Sequence, residues 1–145
     1  MRCIIQRVQS ASVSIDNKTV ASIGKGLMVL AGYTAGDNFK VIEDMAGKIV
    51  NLRIFDDSAG KLNLSVNDID GEILIVPNFT LYADASRGRR PDFIKSLKAE
   101  DSKPLFEETV EAFRNKYNKV SCGVFGANMQ VNLVNDGPLT IIIEK

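Results

Sequence analysis

Four short stretches of this 145-residue chain carry groups that can do chemistry. Val134-Asn135-Asp136-Gly137-Pro138-Leu139-Thr140 sets a Gly-Pro dipeptide between two apolar runs. Read locally it is a turn, because Asn, Asp, Gly and Pro are the usual turn formers. Read as function it is a rigid backbone probe: glycine lets carbonyls approach a ligand with no Cβ in the way, and a cis X-Pro bond, found in about 5% of such bonds, is usually kept for a reason. In Val76-Pro77-Asn78-Phe79-Thr80-Leu81-Tyr82 a buried strand emerges. The plain reading puts Phe79 and Leu81 in the core, while the chemical one offers the Thr80 hydroxyl and the amides of Phe79 and Thr80 to an oxyanion. Arg87-Gly88-Arg89-Arg90-Pro91, followed by Lys95 and Lys98, is the one concentrated basic stretch, either a solvated loop or a phosphate contact, to which arginine forks are suited. Gly123-Val124-Phe125-Gly126-Ala127-Asn128-Met129 is a glycine-punctuated hairpin, with Phe125 either packed there or serving as a stacking platform for a base.

The chain contains no histidine. That excludes a Ser-His-Asp or Cys-His arrangement, an HExxH zinc site and an imidazole proton shuttle. Thr80 therefore has no histidine to make it a conventional nucleophile. Cys3 and Cys122 have neither CxxC nor metal-ligand spacing and read as buried, reduced thiols of a cytosolic protein. Chemistry is left to backbone donors, hydroxyls, carboxylates, lysine or the substrate itself. The pair Asp56-Asp57 reads as a solvated turn, and neither a metal nor a cofactor is called for. Eighteen basic residues balance eighteen acidic ones, so any nucleic-acid contact must rest on a local patch.

The elements that must position these groups follow from periodicity. Cys3–Val8, Ala11–Ile15 and Thr19–Ile23 read as strands, and Gly26–Gly32 as a strand covered on both faces. From Asp37, expected as N-cap, Phe39, Ile42, Met45, Ala46 and Ile49 mark an amphipathic helix. Glu72–Val76 is an apolar strand stopped by Pro77. Pro91 suits the first turn of a short helix reaching about Lys98, and Ser102 can cap another whose inner face is Leu105, Phe106, Thr109, Val110 and Phe113. Met129, Val131 and Leu133 alternate with polar residues as a half-solvated strand, and Leu139–Ile143 closes the chain. There is no repeat or linker, so one domain over residues 1–145 is expected. No apolar run approaches the roughly 20 residues of a membrane span, and no leader is recognisable, which fits a cytosolic protein.

Taken in order, Met1–Val8, Lys48–Phe55, Phe79-Thr80-Leu81, Gly88-Arg89-Arg90-Pro91, Gly123–Ala127 and Asn135–Thr140 make the chain resemble the D-aminoacyl-tRNA deacylases along its whole length. The resemblance implies a mixed α/β fold of three layers, β/β/α, with largely antiparallel sheets and two to three helices. It also implies a homodimer that hydrolyses the ester joining a D-amino acid, or mischarged glycine, to the terminal adenosine of tRNA. On that model the Gly137-Pro138 bond is cis, and the dipeptide of one subunit enters the other's pocket, where its carbonyls leave no room for an L side chain. Phe79 and Thr80 would line the catalytic side, Asn78, Phe125 and Met129 the substrate pocket, and Arg7 would brace the dipeptide. Arg87, Arg89 and Arg90 would meet the RNA. The 2′-hydroxyl of the tRNA is implied as a participant, which suits a chain without histidine. The family usually has Ser-Gln where this chain has Pro77-Asn78. The exchange removes a hydroxyl and a backbone donor and shortens the amide side chain by one methylene. A non-catalytic nucleic-acid-binding protein and a deacylase of relaxed chirality are the rival readings.

Overall fold

The computed structural model describes residues Met1–Lys145. Strand β1 (Arg2–Ile15) is the axis of the sheet. One edge pairs antiparallel first with β3 (Gly26–Gly32) through Arg2–Val8 and then with β2 (Lys18–Ile23) through Ala11–Ile15. The other edge pairs antiparallel with β8 (Gln130–Glu144) along nearly its whole length. The two runs separated in the sequence reading are thus one strand, with the register shifting between Gln6 and Ser10.

Beyond β3 the sheet becomes parallel. β6 (Glu72–Pro77) pairs with β3, and β7 (Val120–Cys122) with β6. Parallel neighbours need crossovers; helices α1 (Phe39–Val50) and α2 (Ala99–Arg114) lie within these two connections and pack on each other. The short β4 (Phe55–Asp56) and β5 (Leu62–Leu64) form a separate ribbon. The main sheet curls until β2 returns against β6 and β7, a nearly closed barrel with the helices as the outer layer.

The alternation of side chains along the strands fills two cores. Cys3, Ile5, Leu27, Val29, Ile73 and Ile75 face α1 and α2, meeting Ile42, Met45, Ile49, Phe106 and Phe113. Val8, Val13, Met28, Leu74 and Val76 point into the curl. β3 and β6 are therefore covered on both faces, as an uninterrupted apolar run requires.

Helix starts were the weak part of the sequence reading. Asn38, not Asp37, caps α1, accepting from the Lys40 and Val41 amides at 3.0 and 3.3 Å. Asp37 instead takes the ammonium of Met1 and the Thr34 amide. Phe39, the first helical residue, is exposed rather than inward. No helix forms over 91–98: Asp84 and Asp92 exchange two backbone bonds of 2.9 Å, and Leu97 N–H goes to Tyr33. Ser102 does not cap a helix; it is buried inside α2, donating to Leu97 C=O at 3.1 Å, while Lys98 stands at the N-cap without a side-chain bond. Cys3 is buried, its thiol pushed up to about 12 chiefly by desolvation, whereas Cys122 is only half-buried.

Candidate active site

Where β6 leaves the sheet, Asn78 N–H still reaches Ala31 C=O at 2.8 Å, and the chain then makes one 3-10 turn, Phe79–Tyr82. Pro77 costs the ladder nothing here. Ile75 C=O, on the β7 side, takes the Gly123 amide, so Pro77 would have donated to that same side, past the last residue of β7. Asn78 caps the turn: its Oδ1 accepts from the Thr80 amide at 3.1 Å and from the Thr80 hydroxyl at 2.5 Å. The turn lies directly on β3, since a Cβ on Gly32 would stand 2.8 Å from Asn78 O.

This local geometry sorts the expected donors. The Thr80 amide is already committed to Asn78, whereas the Phe79 amide finds no acceptor within the chain. Phe79 and Leu81 do not enter the core; Tyr82 does, and Phe79 is 57% exposed. The Phe79 ring meets Phe93 at 5.2 Å, and its carbonyl accepts from the Ser96 hydroxyl at 2.8 Å.

A cavity of about 540 Å³ opens beside this turn. Pro77, Asn78 and Phe79 form one wall, Phe125, Gly126, Ala127 and Met129 another, and Phe93, Ser96, Lys98 and the start of α2 the third. Its size is that of a pocket for a small molecule or nucleoside. Phe125 is anchored against Phe106 at 6.1 Å, and Met129 Sδ accepts from the Val124 amide at 3.4 Å. Asn78, Phe79, Phe125 and Met129, chosen on sequence, thus meet in one place. Thr80 adjoins it without lining it. Phe93, Ser96 and Ser102 were missed, because nothing in their spacing separates them from an ordinary loop and helix, and Lys98 entered only as the end of the basic stretch.

Gly137 and Pro138 lie elsewhere on the chain's surface, outside this cavity. Their peptide bond is cis. The ladder runs from Gln6–Thr140 straight to Val8–Asn135, so the single residue Arg7 faces the four residues Asp136 to Leu139, and the dipeptide is pushed out of the sheet. Arg7 is 7% exposed. Its guanidinium donates to Asp136 C=O at 3.2 Å and Ile54 C=O at 2.8 Å, and it pairs with the carboxylates of Asp136 and Asp56, both at 3.3 Å. Asp56 therefore does more than solvate its turn. At Gly137, φ is +122°, and a Cβ would stand 3.2 Å from Leu139 N and 3.3 Å from Arg7 Nη2, so no other residue fits without strain.

Arg87, Arg89 and Arg90 are exposed on the loop closed by Asp84 and Asp92, and none is in an ion pair. Phe93, which follows that loop in the sequence, lines the cavity. The Asp84 carboxyl is held down at about 2, chiefly by Ser86, whose amide donates to it at 2.9 Å, and then by Lys95 at 3.4 Å. No helix is long and apolar enough to cross a membrane.

The family model described as D-Tyr-tRNA(Tyr) deacylase matches residues 4–144. The D-aminoacyl-tRNA deacylase of Thermosipho africanus is 52% identical over 100% of this chain and 97% of its own length. That of Francisella tularensis subsp. novicida is 51% identical, covering 97% of each. Among solved structures, the c-Myc DNA Unwinding Element Binding Protein superposes with a TM-score of 0.95 at 39% identity, over 100% of this chain and 99% of its own. A probable eukaryotic D-amino acid tRNA deacylase shares the fold, with a TM-score of 0.86 at 17% identity over 98% and 97% of the two chains. On a match that runs almost end to end, with relatives about half identical over their full length, this chain belongs to the D-Tyr-tRNA(Tyr) deacylase family.

Proposed function

We infer that this chain hydrolyses the ester between a D-amino acid and the terminal adenosine of tRNA, and the corresponding ester of mischarged glycine, as a cytosolic homodimer. The observation that carries the reading is the full-length identity, 52% in one case, to proteins named D-aminoacyl-tRNA deacylase. In this reaction water adds to the ester carbonyl, the acyl C–O bond breaks, and free amino acid and tRNA leave. The open Phe79 amide suits the developing oxyanion. Thr80, tied to Asn78, holds that turn in place beside the ester. With no histidine to act as base, the 2′-hydroxyl of the substrate assists, and the protein contributes orientation. Phe125 and Met129 hold the adenosine, and the exposed Arg87, Arg89 and Arg90 take backbone phosphates.

The dimer is supported by what one chain leaves unfilled. Gly137 and Pro138 are exposed and outside their own cavity, on a strand whose outer edge has no partner, and Val134 and Ile142 of that strand are 57% and 66% exposed. An unpaired apolar edge calls for a cover. In the dimer the dipeptide of one subunit enters the cavity of the other, braced by Arg7, and its backbone carbonyls exclude an L side chain while glycine passes. The test is release of amino acid from D-Tyr-tRNA, L-Tyr-tRNA and Gly-tRNA by the purified protein. Hydrolysis of the D and glycyl esters alone is expected; turnover of L-Tyr-tRNA at a similar rate would remove the filter.

The second reading, nucleic-acid binding without catalysis, is favoured by the 39% identity to a protein named for binding a DNA unwinding element. Salt-sensitive RNA binding with no release of amino acid from D-Tyr-tRNA would select it.

A further inference from the structure

We propose that Lys98 receives the phosphodiester on the 5′ side of the terminal nucleoside and so fixes which way the substrate lies in the cavity, a proposal that rests on the deacylase reading. Thirteen residues line the cavity, and Lys98 is the one charged side chain among them. It is exposed, makes no ion pair with the chain, and gives no side-chain bond to the helix it begins. Its neighbour Lys95 is engaged by Asp84 at 3.4 Å. Glu100 and Asp101 in the first turn offset the positive end of α2, and neither lines the cavity, so the attraction for an anion at this wall belongs to Lys98 itself.

An aminoacyl nucleoside brings two charges to such a wall. The α-ammonium is repelled by Lys98, and the phosphodiester that joins the terminal nucleoside to the rest of the RNA is attracted. The two effects agree: the nucleoside enters with its 5′ side toward α2 and its aminoacyl group toward the Asn78–Phe79 wall. The loop carrying Arg87, Arg89 and Arg90 precedes Phe93 of the same wall, so further phosphates find cations where the strand continues.

The experiment compares D-Tyr-tRNA with D-tyrosyl-adenosine, which has the ester and the nucleoside but no phosphate. Lys98→Ala should lower the ratio of kcat/KM on the tRNA to that on the nucleoside by about fivefold, through KM rather than kcat. It should also flatten the plot of log kcat/KM against log salt by about 0.7 on the tRNA substrate. Lys98→Arg should restore both. Proportional loss on the two substrates, or an unchanged ratio and slope, would overturn the proposal. If the unaltered protein hydrolyses neither ester, it is the deacylase reading that fails. Lys98 is then read by binding of the trinucleotide CCA against adenosine: selective weakening of CCA in Lys98→Ala upholds the phosphate contact, and equal weakening ends it.

Discussion

The two parts of the candidate site are built in opposite ways. The cavity beside Phe79 is redundant: its turn is held by Asn78 from within, by β3 from below and by Ser96 from the side, and Phe125 rests on the core residue Phe106. The Gly137-Pro138 segment has left the ladder, and one buried guanidinium replaces the missing strand contacts. The redundant part should absorb single substitutions, and the other should fail at one residue. A probe that acts through backbone geometry gains from this arrangement, because its position is set by a buried side chain bonded to two carbonyls and paired with two carboxylates, and not by a flexible loop.

The sharpest way to break the contrast is Arg7→Ala. It leaves Ile54 C=O and Asp136 C=O without their donor and strands two carboxylates, so a loss of about 3 kcal/mol in urea unfolding is expected. Arg7→Lys keeps the charge without the fork and should recover only part of it. A stability change within about 0.5 kcal/mol for the alanine variant would show that the segment is held by something else. Next is Gly137→Ala, where the new Cβ meets Leu139 N and Arg7 Nη2 in a left-handed conformation. A displacement of the order of an ångström at the probe should cost about a hundredfold in kcat/KM on D-Tyr-tRNA. Undiminished turnover would mean that the position of the backbone there is not used.

The same contrast decides what sequence could reveal. Gly137, Pro138 and Arg7 carried a signal, but only as part of an ordered set of motifs: by local rules the dipeptide was a turn, and Arg7 entered through the resemblance alone. The reason it belongs there is the four-for-one mismatch between β8 and β1, a long-range register that no local window contains. Strands with uniform apolar runs were legible because burial on both faces leaves one composition. Helix starts were not, since Asp37 and Asn38 are both good caps and the choice fell to tertiary pairing of Asp37 with the Met1 ammonium. The 91–98 stretch looked helical from Pro91, but Leu97 N–H is drawn to Tyr33. Ser96 had no signal because its importance lies in where α2 happens to begin, and Lys98 carried one only as the last cation of the basic stretch.

On the redundant side, Thr80→Ala should do far less than Gly137→Ala. The variant loses the hydroxyl bond to Asn78 while the Thr80 amide keeps Asn78 Oδ1 in its capping position. One hydrogen bond of about 1 kcal/mol corresponds to roughly fivefold in kcat/KM. Equal damage from the two variants would sink the backbone-probe mechanism and return Thr80 to the centre of the chemistry.

The smallest effect expected is that of acid on the loop bearing Arg87, Arg89 and Arg90. Its base is closed twice by backbone and again by the Asp84 carboxylate, which Ser86 and then Lys95 hold ionised down to about 2. The folded value lies below the usual aspartate range near 3.9, so the carboxylate's contribution is present in full above that range and is lost progressively as pH falls from there through about 2. Between pH 7 and pH 3 the Ser86 and Asp92 amide resonances should therefore barely move, and Asp84 should titrate near 2 by NMR. In Ser86→Ala the side-chain part of the stabilisation is gone and the midpoint should rise toward the ordinary value. A midpoint near 4 in the unaltered protein would show that the loop base relies on its backbone pair alone, and that the redundancy assigned to this side of the site is one contact thinner than its geometry implies.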